Sequence, residues 1–184
     1  MERLNPKSRS DPYGSRLNRN QSAFAATIVP WVSILFASAL PQFVVITALP
    51  IIPPLGYMML LAWRLARPGL LPLWAGFPLG LFDDLVSGQP FGFAIFVWSL
   101  TMLFLEIVDT RFPWRNFIQD WFTAGLMTVL YILIGVTLSG ASLSREMFVA
   151  TGPQIVLSIF LFPIIARLVA RLDRLRLRRW RTVG

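Results

Sequence analysis

Two adjacent carboxylates, Asp83 and Asp84, are the residues of this sequence whose type and spacing could do chemistry. Paired acids can serve as a general acid and a general base, and they can also bind cations or relay protons. Neighbouring residues on a helix point about 100° apart, however, so the two side chains do not converge on one substrate atom. The sequence has no cysteine and no histidine, which excludes thiol catalysis, disulfides, Cys/His zinc sites and a Ser-His triad. It therefore predicts no enzyme, no cofactor and no metal site.

The composition around this acid pair is typical of a membrane protein. Of the 184 residues, 55% are apolar and 14% are charged, whereas about a quarter of a soluble domain is charged. The formal charge of +8 is concentrated at the ends, with +3 in residues 1–22 and +6 in residues 167–184. Basic ends around a nearly neutral, apolar centre predict an all-α, polytopic integral membrane protein.

Uncharged runs and prolines divide the apolar centre into about six helices. A spanning helix needs about 20 apolar residues, so the uncharged run 20–63 must fold back at the three prolines of residues 50–54. The second and third spans are short and broken by proline and glycine, so a re-entrant pair is the alternative to two full crossings. The predicted spans are residues 24–49, 53–66, 69–86, 90–109, 117–138 and 148–168.

The positive charges predict the orientation. With six spans and a cytoplasmic N-terminus, 16 of the 17 Lys and Arg residues lie in cytoplasmic segments, and only Arg145 lies outside. A cleavable signal peptide is the alternative for the N-terminus, but the apolar sequence continues to Trp63 without a polar break. The predicted organisation is a basic, disordered cytoplasmic leader (residues 1–22), a six-span membrane domain (23–170) and a basic cytoplasmic tail (171–184).

The tail continues the sixth span with a basic face. If the helix runs on past the membrane, three leucines form one stripe and four arginines form a neighbouring one. The leucines are Leu168, Leu172 and Leu175, and the arginines are Arg167, Arg171, Arg174 and Arg178. We expect inner-leaflet contact, because each basic residue gains about 1 kcal/mol beside anionic lipid. The alternative is a cytoplasmic partner, and truncation after Arg171 is the test that the sequence suggests.

The segment 76–92 surrounds the two acids with glycine and proline. As a cation or proton relay the acids lack a further polar partner, since Glu106 is predicted on the opposite side of the membrane. Two interpretations remain: the acids end the third helix at a turn on the outer interface, or one of them contacts a partner protein. The acids are flanked by two pairs of small residues at a spacing that lets helix backbones approach closely in lipid, Gly76/Gly80 and Gly88/Gly92.

This segment resembles a stretch of the rod shape-determining protein MreD family. Members are small membrane proteins with five or six spans, and they carry the pattern G-L-x-x-D-x-x-x-G-x-x-x-G between the third and fourth span. The family's acid corresponds to Asp84, and Asp83 is an addition to the pattern. The matching residues are Gly80, Leu81, Asp84, Gly88 and Gly92; Gly76, Asp83 and Pro90 complete the candidates for partner contact or helix packing.

The resemblance implies a non-enzymatic role in the bacterial inner membrane, in rod shape and lateral peptidoglycan synthesis. The implied partners are MreC, a class B penicillin-binding transpeptidase, the polytopic glycosyltransferase of the elongation complex, membrane lipids and the actin-like MreB filament, with no nucleic acid. The fold is also similar to the substrate-binding subunits of energy-coupling-factor transporters, so the alternative is a small-molecule-binding membrane subunit. Such a subunit should have a polar, aromatic pocket, whereas the predicted outer loops are short and poor in polar residues.

Overall fold

The computed structural model describes residues 23–44, 52–111, 116–140 and 145–176. Within these ranges all regular secondary structure is helical, so the predicted all-α class is confirmed. The predicted leader and residues 177–184 of the predicted tail lie outside the described ranges. The number of membrane crossings and the cytoplasmic position of the termini stay predictions.

The described helices follow the predicted spans in order. They are α1 (Ala23–Val44), α2 (Leu55–Ala66), α3 (Gly76–Ser87), α4 (Phe93–Arg111), α5 (Phe117–Leu138) and α6 (Arg145–Arg176). Three stretches are long and apolar enough to cross a membrane, and they lie in α4, α5 and α6. The apolar stretches of α1 and α2 are shorter.

The third helix begins later than the predicted span 69–86. Gly69 has a φ of 82°, which is in the left-handed region that favours glycine, and Pro72 is extended with a ψ of 154°. A 3₁₀ turn at Leu73–Ala75 then leads into α3. The prediction that the third helix begins at residue 69 is therefore wrong, because the chain has to turn between α2 and α3. Pro78 is tolerated inside α3 because it lies in the first turn, where the backbone N–H has no partner within the helix.

The short helix α2 forms the centre of the bundle. All ten residues from Gly56 to Leu65 are buried, because α1, α4, α5 and α6 pack around them. Trp63 has no exposed surface, and its indole N–H donates to the hydroxyl of Ser33 at 2.8 Å. A helix that is enclosed on every side needs no polar face, which fits the uncharged sequence of α2 up to Trp63; the one charged residue, Arg64, is paired with acids of α4.

Ion pairs show that α2, α4 and α6 run in the same direction. Arg64, near the end of α2, pairs with Asp109, near the end of α4, at 2.8 Å. Arg67, just after α2, pairs with Asp173 near the end of α6 at 2.7 Å. The C-terminal ends of these three helices therefore meet at one end of the bundle.

The helices α1, α3 and α5 run in the opposite direction. Ser38, in the second half of α1, lies against Gly56 at the start of α2, and a Cβ on that glycine would come within 1.9 Å of the Ser38 hydroxyl. Asp83, near the end of α3, accepts a hydrogen bond from the hydroxyl of Tyr131 in the second half of α5. The six described helices thus alternate in direction, as a chain that crosses a membrane repeatedly does.

The bundle is apolar outside as well as inside. Large apolar side chains that are more than half exposed occur along α4, α5 and α6, among them Phe96, Ile107, Phe122, Phe160 and Ile164. Soluble monomers rarely expose contiguous apolar surface of this kind, whereas lipid contact requires it. The protein is a membrane protein.

Candidate functional site

The Asp84 carboxylate holds the beginning of α4. One oxygen accepts from the backbone N–H of Ala94 at 2.8 Å, and the other accepts from Gly92 at 3.0 Å and Ile95 at 3.2 Å. The side chain is 5% exposed. The first N–H groups of a helix have no partner within the helix, and the helix dipole favours a negative charge beside them. Asp84 is therefore engaged within the chain, where it closes the α3–α4 turn.

The turn between these helices depends on two glycines with positive φ. Gly88 ends α3 with a φ of 70°, and Gly92 has a φ of 92°. A Cβ on either glycine would have no neighbour within 4 Å among the described residues, so the pair packs against no other helix of this bundle, and contact with a partner protein stays a prediction. Glycine is needed here because other residues rarely adopt this backbone conformation. Pro90 is exposed, and its carbonyl accepts from the N–H of Phe93 at 3.1 Å.

The other glycine pair brings the backbones of α3 and α4 together. A Cβ on Gly76 would come within 2.9 Å of the backbone of Trp98 and Ser99, and one on Gly80 would come within 2.6 Å of the carbonyl oxygen of Ala94. A methyl group at either position would therefore separate the helices. Leu81, on the same helix, is half-buried.

Asp83 points away from this turn, toward α5. It is 6% exposed, and its Oδ2 lies 3.3 Å from the hydroxyl of Tyr131. The same hydroxyl lies 3.3 Å from Gln89 Oε1, and the Tyr131 ring stacks on Tyr57 with centroids 4.3 Å apart. Tyr57 in turn shares a 2.8 Å hydrogen bond with Thr101 on α4. The two neighbouring acids thus have separate surroundings.

Asp83 also lines a cavity of about 360 Å³, which we call the Asp83 pocket. It lies where α1, α3 and α5 end and where α2 and α6 begin. Its polar side chains come mainly from the helices, so a pocket could not be predicted from the outer loops, which are short and poor in polar residues. The polar side chains include Ser38, Asp83, Ser87, Gln89, Tyr131 and Gln154.

A cluster of charges, which we call the arginine cluster, connects α2, α4 and α6 at the opposite end. Arg64 is 1% exposed and pairs with both Glu106 and Asp109. Arg67 donates to Asp173 from Nε at 3.0 Å and from Nη2 at 2.7 Å. Arg176 Nε also donates to Asp173 at 2.7 Å, and its guanidinium lies over the Trp63 ring at 5.6 Å. The members are Arg64, Arg67, Glu106, Asp109, Asp173 and Arg176.

This cluster was not predicted from the sequence. One signal was present, because Glu106 and Asp109 are three residues apart and so share a helix face. Asp173 lies beyond the predicted sixth span. Burial raises the pKa of its carboxyl, but hydrogen bonds from Arg67 and Arg176 lower the pKa by more, so it lies below the usual value for aspartate.

The basic stripe predicted for the tail lies partly within α6, which continues to Arg176. Arg167, Arg171 and Arg174 are exposed, and Arg178 lies outside the described residues. Leu168 and Leu175 are 44% and 54% exposed, while Leu172 packs against the core and Val169 is fully buried, so only part of the leucine stripe faces the bundle.

Chemically, the described residues offer contact surfaces and binding groups. No three acidic side chains among them are close enough together to hold a metal ion. A family model described as rod shape-determining protein MreD matches residues 19–175, a range that includes the whole α3–α4 turn. Comparison with curated proteins and with solved structures gives no match.

Proposed function

The chain belongs to the rod shape-determining protein MreD family, and from this membership we propose that it is a non-enzymatic scaffold of the bacterial cell-elongation complex. It is a rod shape-determining membrane protein. The scaffold lies in the inner membrane as a multi-pass protein, and it maintains rod shape and lateral peptidoglycan synthesis by binding other membrane proteins.

The engagement of Asp84 is the observation that carries this proposal. The acid of the family pattern accepts three backbone hydrogen bonds and is buried, which is the arrangement of a structural carboxylate rather than of a general acid or base. Together with the close approach at Gly80, it makes α3 and α4 a rigid pair. A protein that acts by contact needs such fixed surfaces.

The proposed partners are MreC, the class B penicillin-binding transpeptidase, the polytopic glycosyltransferase, membrane lipids and the MreB filament. Association of helices in lipid depends on close packing rather than on a hydrophobic driving force. The outward apolar faces of α4, α5 and α6 are the surfaces that we assign to this packing. The outward arginines of α6 are assigned to the inner leaflet.

Depletion of the protein in a rod-shaped host tests the proposal. We expect depleted cells to become round, and we expect the wild-type protein to restore rods and to co-purify with MreC. Cells that stay rod-shaped after complete depletion would contradict the proposed role.

Three variants then test which face makes the contact: Phe96→Ala on α4, Phe122→Ala on α5 and Phe160→Ala on α6. Each side chain is more than 60% exposed, so each variant should fold and serve as a control for the others. We expect one of them to lose co-purification with MreC at normal membrane levels. Full co-purification by all three would argue against contact through these faces.

A further inference from the structure

We propose that the Asp83 pocket binds a small organic cation, a primary ammonium group on a compact apolar body. This binding goes beyond the scaffold role, and neither requires the other. The cavity volume of about 360 Å³ is within the range of small-molecule sites, which is roughly 300–1,000 Å³.

The charge of the pocket determines the sign of the ligand. Asp83 is the acidic residue among the lining residues that the structure describes, and no lysine or arginine is among them. Within the described chain, Asp83 has no ion pair, whereas the acids at the opposite end of the bundle are paired with arginines. A buried carboxylate without a cation is costly, and an ammonium ion seated beside it would supply the missing charge.

Asp83 is also not needed for the turn next to it. The carboxylate of Asp84 supplies all three bonds to the start of α4, and Asp83 faces the other way. An ionisable residue at membrane depth with no structural partner of opposite charge generally marks a functional site. Cation binding would therefore be the role of Asp83, the acid that is absent from the MreD pattern.

Further polar groups could accept the hydrogen atoms of an ammonium group. The hydroxyl of Ser87 is buried, and no hydrogen-bond partner for it occurs among the described residues. The Gln89 side-chain oxygen lies near Tyr131 at the same end of the pocket. Apolar side chains between these polar groups suit a hydrocarbon body; they include Pro41, Ile52, Leu55, Ile132 and Val136.

The test uses the full-length protein in lipid nanodiscs with two probes of the same shape, benzylamine and benzyl alcohol. Binding is measured by ligand-observed NMR and by the shift of the unfolding temperature. We expect saturable binding of benzylamine that is at least tenfold tighter than that of benzyl alcohol. The neutral probe controls for partition into lipid and for hydrophobic filling of the cavity.

Two pocket variants and one control variant locate the binding. Asp83→Asn keeps the size of the side chain and an oxygen for Tyr131, and it should remove the preference for the amine. Glu106→Gln, at the opposite end of the bundle, is the matched control and should leave both affinities unchanged. Val136→Phe should fill the cavity and weaken both probes, so it tests the site even if Asp83→Asn reduces the amount of folded protein.

Three results would overturn the proposal: no saturable binding of benzylamine, equal binding of the two probes by the wild type, or tight amine binding that persists in both pocket variants. None of them bears on cell shape, so failure here is distinguishable from failure of the scaffold proposal.

Discussion

Replacing Asp84 by asparagine should destabilise the bundle much more than the same change at Asp83. An asparagine has one oxygen, so it can keep at best the two bonds that Oδ2 makes, and its NH₂ group then faces the N–H of Ala94. Leaving one buried donor unsatisfied costs about 1–3 kcal/mol. Loss of the charge beside a helix N-terminus adds roughly 0.3–1 kcal/mol, and the two bonds that remain are weaker without the charge. We therefore expect a total loss of about 2–4 kcal/mol.

The control, Asp83→Asn, keeps an acceptor oxygen for the two hydroxyls beside the carboxylate, those of Tyr131 and Ser38. The 3.3 Å contact with Tyr131 needs only an acceptor oxygen, which the amide supplies. We expect a change of less than about 1 kcal/mol, because an isosteric change that keeps the hydrogen bond removes little. The two variants carry the same chemical change at neighbouring positions, so we expect equal membrane insertion and expression.

Thermal unfolding of both purified variants in the same detergent measures the difference. For a chain of this size, about 2–4 °C of Tm corresponds to 1 kcal/mol, so Asp84→Asn should lower Tm by roughly 5–15 °C. Equal changes in the two variants, or a drop at Asp84→Asn of about 1 °C or less, would refute the assignment of Asp84 to the start of α4.

Three other predictions follow from the packing and the charges. Gly80→Ala should lower the free energy of unfolding by about 1–3 kcal/mol, because the new methyl group meets the backbone of α4. The control is Gly152→Ala in α6, where a methyl group meets nothing within 4 Å and should be neutral or stabilising; unfolding in detergent compares the two. Truncation after Arg176 should leave insertion and rod shape intact, and round cells at normal protein levels would instead indicate a cytoplasmic partner for the tail. Reporter fusions that are active only in the periplasm should be active near residue 142 and inactive after residue 184, and activity at the second position would contradict six spans.

The choice of truncation point follows from the arginine cluster. A cut after Arg171, which the sequence alone suggests, would also remove Asp173 and Arg176 and leave Arg67 without its partner. The resulting loss of stability would be confused with loss of a tail contact. A cut after Arg176 keeps the cluster and removes only the last basic residues.

The helices were predictable because their signals are local. Apolar runs and prolines predicted the order of all the described helices, and the acid pair indicated a turn after α3. What the sequence could not show is which glycines pack and which turn: Gly76 and Gly80 have the same spacing as Gly88 and Gly92. The difference depends on where α3 ends, since only the first pair lies along a helix facing α4.

The ion pairs and the Asp83 pocket could not be predicted for a different reason. Arg64 is 42 residues from Glu106, and Arg67 is 106 residues from Asp173, so the contacts exist only once α2 is enclosed by α4 and α6. Likewise, the polar side chains of the pocket come from α1, α5 and α6 as well as from the end of α3 and the turn after it, so they meet only in the folded bundle.

The length of α2 has a consequence for how the protein is made. Its 12 residues form a helix of about 18 Å, whereas the hydrocarbon layer is about 30 Å thick. Released alone into lipid, α2 would leave the unpaired backbone groups at its ends inside hydrocarbon or force the bilayer to thin around it. α1 is already synthesised when α2 emerges from the ribosome, but α6, which also packs on α2, is synthesised after the other described helices. The centre of the bundle is therefore synthesised before one of the helices that enclose it, and we expect α2 to need shelter from lipid until α6 is in place.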